Sequence, residues 1–306
     1  MWIILAIASS LCLGIYDIFK KLSLNGNNVL TVLFLNTLFG TLLMSPVWAS
    51  AIADGSFGFG GNLAGHAFIA VKSLIVLSSW VMGYYAVKHL PLTITGPVNA
   101  TRPILVLVGA LFIFGERLNL LQWLGIILGF CSLFFVSRLG KKEGFSIRHS
   151  LWLWLIMGAT VMGAVSGLYD KYLLRIYDPL QVQAWYSLYQ CIIMGAAILI
   201  IKRTSAENTP FVWRWTIPCI AVFLTVADIA YFYSLSLPGS MISVVSMIRR
   251  GSVLVSFAYG VIALHEKNVK LKLIDLSVLL VGLICLVLGS RLNFSLINLA
   301  NLYHIL

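Results

Sequence analysis

Charge is scarce in this chain of 306 residues: only 10% are Asp, Glu, Lys or Arg, against about a quarter in a soluble domain. With 60% hydrophobic residues and a mean hydropathy of +0.97, there is too little polar surface to wrap a water-soluble globule. Its preferred solvent is lipid. Acidic residues are scarcer still, with 10 Asp+Glu against 21 Lys+Arg and a net charge of +11. In a soluble protein that excess points to nucleic acid. Here most of the basic residues lie in short segments between apolar runs, where they meet headgroups and orient the chain. Nucleic-acid binding is not expected.

Motifs of metal and nucleophile chemistry are also missing. Cys12, Cys131, Cys191, Cys219 and Cys285 all fall inside apolar runs, with no CxxC or Cys/His cluster, so they read as small buried hydrophobes rather than ligands or disulfide partners. His66, His89, His149, His265 and His304 are scattered, and no HExxH, GxSxG or Walker-type motif occurs. No cofactor or metal is implied, and neither a membrane enzyme nor an ATP-driven pump is expected.

What is present is a series of long apolar runs. A helix needs about 20 apolar residues to cross about 30 Å of hydrocarbon. Runs of that size stand near 2–19, 29–50, 67–88, 92–114, 118–137, 151–173, 180–201, 215–236, 239–264 and 272–290. They are continuous rather than alternating, which excludes strands. The first run lacks a basic leader and has a partner later in the chain, so it reads as a mature helix rather than a signal peptide. Ser56 to Gly61 reads as a surface loop. In the tail, Leu292, Leu296, Leu299, Tyr303 and Leu306 recur at spacings of four and three, which fits either a short interfacial helix or a frayed end.

The two halves echo each other. Gly14-Ile15-Tyr16-Asp17 matches Gly167-Leu168-Tyr169-Asp170, Leu90-Pro91 matches Leu237-Pro238, and Glu116-Arg117 matches Glu266-Lys267, at offsets of 153, 147 and 150 residues. Each half holds five spans. A second copy of an odd-span unit enters the membrane from the opposite side, so the halves are related by a pseudo-twofold axis in the membrane plane. The expected fold is an all-α integral membrane protein of ten transmembrane helices in two inverted five-helix repeats. Residues 1–137 form the first repeat, 138–150 the inter-repeat loop, 151–290 the second repeat and 291–306 a short amphipathic tail.

This pattern resembles the drug/metabolite transporter superfamily, specifically its EamA type. So do Phe114-Gly115-Glu116-Arg117-Leu118 with Gln122-Trp123-Leu124-Gly125-Ile126-Ile127-Leu128-Gly129, and more loosely Leu264-His265-Glu266-Lys267 with Val281-Gly282. The resemblance covers nearly all of residues 1–290. It implies alternating access around a central cavity built from spans one to four and six to nine, with spans five and ten peripheral. Relatives move amino acids, nucleotide sugars, sugar phosphates or drugs, so the family does not choose a substrate. The tail departs from its pattern.

Lys20, Lys21, Lys88, Arg138, Lys141, Lys142, Arg148, Lys202, Arg203, Arg214, Lys267, Lys270 and Lys272 fall on one side, and Arg117, Arg175 and Arg291 on the other. By the positive-inside rule, thirteen against three puts the loop between the repeats in the cytoplasm and both termini outside. Relatives are usually drawn the other way round.

Ionisable residues deep in a span cost several kcal/mol and usually face a cavity. Arg102 lies in span four, and Arg249 and Arg250 in its counterpart, span nine. Around Arg102, Pro97 and Pro103 remove backbone donors, and Asn99 lies between them. Guanidinium forks suit carboxylate or phosphate, so the three arginines are read as surrounding an anionic or strongly polar group. The alternative pairs them with Asp228, Asp17 or helix carbonyls as a structural lock. Asp228 is either such a counter-ion or a carboxylate that exchanges a coupling proton. Trp80, Tyr84 and Tyr85, with Trp185, Tyr186 and Tyr189, occupy matching spans and either line the cavity or pack; Tyr231 follows Asp228. Tyr16 with Asp17, and Tyr169 with Asp170, are candidate gates at opposite faces, with Lys20 or Lys171 as nearby cations. Glu116 and Glu266 sit at loops, where local capping or pairing is expected.

The function expected is secondary active transport of a small organic metabolite, favoured to carry an anionic group, across a bacterial cytoplasmic membrane. The rival within transport is a polyspecific exporter of amino acids or amphipathic drugs with structural arginines. From another class, the rival is a membrane sensor or scaffold that moves nothing. Expected partners are the substrate, membrane lipids and, if Asp228 titrates, a proton. Monomer and homodimer both remain open.

Overall fold

Backbone donors and acceptors have no water to bond in hydrocarbon, so a long apolar run closes its own hydrogen bonds as a helix. The computed structural model describes residues 1–24, 26–55, 58–59, 62–89, 98, 101–139, 151–204, 210–252, 255, 259, 277–278 and 280–290, and all regular structure among them is helical. Asn99, Glu266, most of the inter-repeat loop and the tail 291–306 lie outside the described residues.

The first half holds α1 (Trp2–Leu24), α2 (Val29–Leu43), α3 (Ser45–Ala53), α4 (Leu63–His89), α5 (Arg102–Ile113) and α6 (Leu120–Leu139). The second holds α7 (Leu151–Leu173), α8 (Pro179–Thr204), α9 (Thr216–Ser236) and α10 (Ile242–Arg249), with α11 at Leu280–Ser290. By length and composition, five described helices can cross a membrane, or six if α2 and α3 form one span. Ten is the expectation from sequence; α5 and α11 are shorter apolar helices than a full span. Two expected spans are interrupted at their arginines, since α5 begins at Arg102 and α10 ends at Arg249.

The run 29–50, read as one helix, bends by 53° between α2 and α3. Pro46 lies in the first turn of α3, where its missing N–H ends the ladder of α2 at no cost to α3.

α1 packs along α9 and α4 along α7. Each pair is pinned by a serine: the Ser9 hydroxyl donates to the Ala227 carbonyl at 2.7 Å and the Ser79 hydroxyl to the Ala159 carbonyl at 2.7 Å. α2 touches α8 and α9, α4 also touches α8, and α5 touches α7 and α10. Each of these pairs joins the first half of the chain to the second. The core they enclose includes Leu173, Leu235 and Ile242, each 1% exposed or less.

α6 and α11 cross backbone to backbone. A β-carbon at Gly125 would lie 2.6 Å from the Gly282 carbonyl oxygen, and one at Gly282 would lie 2.9 Å from that of Gly125. Small residues permit such close approach of helices in lipid. Gly125→Val is expected to cost about 1–3 kcal/mol by overpacking, read as a lowered unfolding midpoint in detergent. A wild-type midpoint would mean that the helices part without penalty.

Candidate functional site

The arginines stand where two helices stop. Arg102 is the first residue of α5 and is followed by Pro103, whose missing N–H costs nothing in a first helical turn. Arg249 is the last residue of α10 and Arg250 its C-cap, with the chain turning there as the Gly251 N–H donates to the Ile248 carbonyl at 2.9 Å. The carbonyl end of a helix favours positive charge, which offsets part of the cost of keeping Arg249 and Arg250 at this depth.

These side chains border two cavities. An inner chamber of about 260 Å³ is lined by Lys72, Trp80, Arg102, Asp170, Asp228, Tyr231, Arg249 and Arg250, among others. An outer vestibule of about 630 Å³ includes Asp17, Lys20, Asn36 and Ser79 and reaches Leu24 and Val29, at the adjoining ends of α1 and α2. Tyr16, Trp80, Arg102 and Arg250 line both, so the two cavities meet at this quartet.

Three of the four inner cations already have partners. Lys72, 1% exposed, forms an ion pair with Asp170 and lies 4.2 Å from the ring of Tyr186 and 4.6 Å from that of Phe232. Arg249 donates to Asp228 at 2.9 Å, and its guanidinium lies 4.0 Å over the Tyr231 ring. Arg102 donates to the Gly163 carbonyl at 2.7 Å. That approach requires glycine, because a β-carbon at position 163 would lie 2.5 Å from the guanidinium carbon. The Arg250 guanidinium makes no hydrogen bond or ion pair with any described residue, and the Arg249 Nε is buried without a partner.

Of the residues singled out from sequence, Arg102, Arg249, Arg250, Trp80, Tyr231 and Asp228 line the inner chamber together. The backbone of Tyr84 lies in α4, but its side chain, like all of Asn99, is outside the described set. Tyr16 and Asp17 line the vestibule. Asp170 lines the inner chamber, and its cation is Lys72 rather than Lys171. Lys171 instead donates to the Leu235 carbonyl at 3.0 Å and to the Ser240 carbonyl and hydroxyl. Tyr169 donates to the Phe68 carbonyl at 3.3 Å and lines neither cavity. Tyr186 faces the chamber, whereas Trp185 and Tyr189 pack around His66.

One residue that sequence reasoning missed, Lys72, and one whose expected local contact is replaced by a distant one, Glu116, complete the picture. Lys72 is a further ionisable residue inside an apolar run, and its place in the run 67–88 was the signal available. Glu116 does not cap locally. Its carboxylate accepts from the Ile242 N–H at 2.6 Å, the Ser243 N–H at 3.2 Å and the Ser243 hydroxyl, so it caps the N-terminus of α10, where negative charge is favoured. With Lys171 it grips the turn between α9 and α10. Both border a third cavity of about 430 Å³ that also includes Trp2, at the opposite end of α1 from the vestibule.

Comparison with known proteins gives a family match over the first part of the chain and a fold over nearly all of it. The model of the EamA-like transporter family matches residues 1–138. No curated protein matches the chain. Among solved structures, 29 chains match. One of them, described only as the crystal structure of a protein, has a TM-score of 0.70 at 15% identity, covering 95% of this chain and 97% of its own. At that identity the likeness concerns the fold alone.

Proposed function

We propose, from the match of residues 1–138 to the EamA-like transporter family, that this multi-pass membrane protein belongs to the drug/metabolite transporter superfamily and moves a small organic anion by alternating access. The observation that carries the reading is Arg250, whose guanidinium has no hydrogen-bond or ion-pair partner among the described residues where the vestibule meets the inner chamber. A cation held at that depth costs several kcal/mol unless something neutralises it, and a substrate anion would do so.

Helix pairing supports the inverted repeat. Exchanging α1 with α7, α2 with α8, α4 with α9 and α5 with α10 turns the α1–α9 pair into α7–α4. It turns α2–α9 into α8–α4 and α1–α10 into α7–α5, and all six pairs are in contact. The repeat-related aspartates supply the asymmetry that alternating access needs. Asp170 is buried in an ion pair, while Asp17 faces the vestibule with no hydrogen bond or ion pair to a described residue. With the basic end in the cytoplasm, the vestibule opens inward, the turn held by Glu116 and Lys171 closes the outer face, and both termini lie outside.

The exporter reading draws on Arg249 and Arg102, whose contacts with Asp228 and Gly163 are those of structural arginines. It leaves Arg250 unexplained. The deciding test is saturable uptake of anionic, neutral and cationic metabolites by proteoliposomes, beside thermal stabilisation of the purified protein by the same compounds. Saturable, competable uptake of anions is expected. Transport of cations or neutral compounds alone would hand the site to the exporter, and binding without uptake to a sensor.

A further inference from the structure

The charges around the two cavities do not balance. Among the described residues lining them, Lys20, Lys72, Arg102, Arg249 and Arg250 are cationic and Asp17, Asp170 and Asp228 anionic. Five against three leaves two positive charges. Two of the carboxylates are taken within the inner chamber, by Lys72 and Arg249. The third, Asp17, lies in the vestibule, where its charge acts on Lys20 most and on Arg250 next, with no ion pair to either. Among the described residues the excess therefore centres on Arg102, whose guanidinium donates to the neutral Gly163 carbonyl, and on Arg250, whose guanidinium has no hydrogen-bond or ion-pair partner and only a share of the Asp17 charge.

Both arginines line both cavities, so both unneutralised charges sit at one junction rather than at two ends of a long site. The buried, unpartnered Arg249 Nε adds a donor next to them in sequence. A ligand bearing one negative charge would leave one cation uncompensated. A ligand with two carboxylates several bonds apart would bring only one of them to the junction. We propose, building on the anion-carrier reading above, that the substrate carries a soluble phosphomonoester, whose single phosphorus centre brings nearly two charges and three acceptor oxygens to Arg102 and Arg250. Guanidinium forks match that geometry. Tyr16 and Trp80 line the same junction and offer ring faces to the organic part of the ester. The vestibule includes Asp17, Lys20, Asn36 and Ser79, polar groups along the approach of the ester.

The test uses the purified full chain in nanodiscs with phenyl phosphate, phenyl sulfate and succinate. A phosphomonoester loses its second proton near pH 6, whereas the sulfate ester keeps one charge across the range. Between pH 5 and pH 7.5 the affinity for phenyl phosphate is expected to rise about tenfold, following the dianion fraction set by that pKa. The affinity for phenyl sulfate is expected to change far less, and Arg250→Gln to remove the difference between the two esters. Equal affinity and equal pH dependence for the two esters would overturn the phosphomonoester while leaving an anion site standing. Tighter binding of succinate would overturn it in favour of a two-centre dicarboxylate. Displacement of nothing by soluble esters, with protection only from phosphatidate in the nanodisc, would overturn the soluble source. If no anion binds at all, the anion-carrier reading falls with it.

Discussion

Lys72→Met is expected to destabilise the protein by about 3–5 kcal/mol, because it strands a buried carboxylate. Asp170 is 6% exposed and has Lys72 as its ion-pair partner. The reciprocal Asp170→Asn leaves the ammonium group against two aromatic rings, Tyr186 and Phe232, which replace only part of a full counter-charge. Its loss should have the same sign. Lys72→Met/Asp170→Leu should recover most of the stability, since an apolar pair of similar volume often matches or exceeds a buried ion pair. Unfolding in mixed micelles, carried through the double-mutant cycle, measures the coupling. Single variants within about 1 kcal/mol of wild type, the range of exposed pairs, would show that the ion pair is wet and open. Because the pair lies in the inner chamber between α4 and α7, the same variants should slow transport only as far as they loosen that helix pair.

Two neighbouring arginines should respond in opposite directions. Arg249→Ala removes the partner of Asp228 and should lower stability by about 3–5 kcal/mol if the pair behaves as buried, less as far as water reaches it. Arg250→Met removes a cation whose side chain has no hydrogen-bond or ion-pair partner among the described residues and that feels the like charges of Arg102 and Arg249 more than the opposite charge of Asp17. The ligand-free protein should therefore be as stable as wild type or more so, while anion affinity falls about ten- to a hundredfold, the worth of one lost charge-assisted hydrogen bond. Stability gained where function is lost is the usual signature of a binding residue. Midpoints measured with and without anion separate the two effects. An Arg250→Met protein that is unstable without ligand, yet still stabilised by anions, would make Arg250 a structural residue.

Much of this arrangement was readable in one dimension. The long runs marked the helices, because hydrocarbon leaves a continuous apolar segment no other way to satisfy its backbone. Arg102, Arg249 and Arg250 stood out because their depth is costly, and all three line the inner chamber. The bend after Met44 was signalled by Ser45-Pro46 but hidden by hydropathy, which ignores a missing N–H. Long-range partners were illegible. Nothing near Glu116 indicates that its carboxylate reaches the start of α10, 126 residues away. Nor does the sequence around Asp170 favour Lys72 over the adjacent Lys171. That choice is made by the crossing of α4 and α7, which puts one lysine beside the carboxylate and turns the other toward Leu235 and Ser240.

The pairing of α1 with α9 bears on how the chain is born. Ser9 finds the carbonyl of Ala227 218 residues later. At about 5–20 residues per second, α1 waits about 10–40 s in the bilayer before its partner is synthesised. Throughout that interval Ser9 has no Ala227 and Glu116 has no helix to cap, and for the greater part of it Lys72 has no Asp170. The first half is thus an orphan during its own synthesis. Its polar groups must be sheltered by lipid headgroups, water or an insertion partner until the second half arrives, and a ribosome that stalls between the halves leaves behind a membrane segment marked for disposal by its own unsatisfied charges.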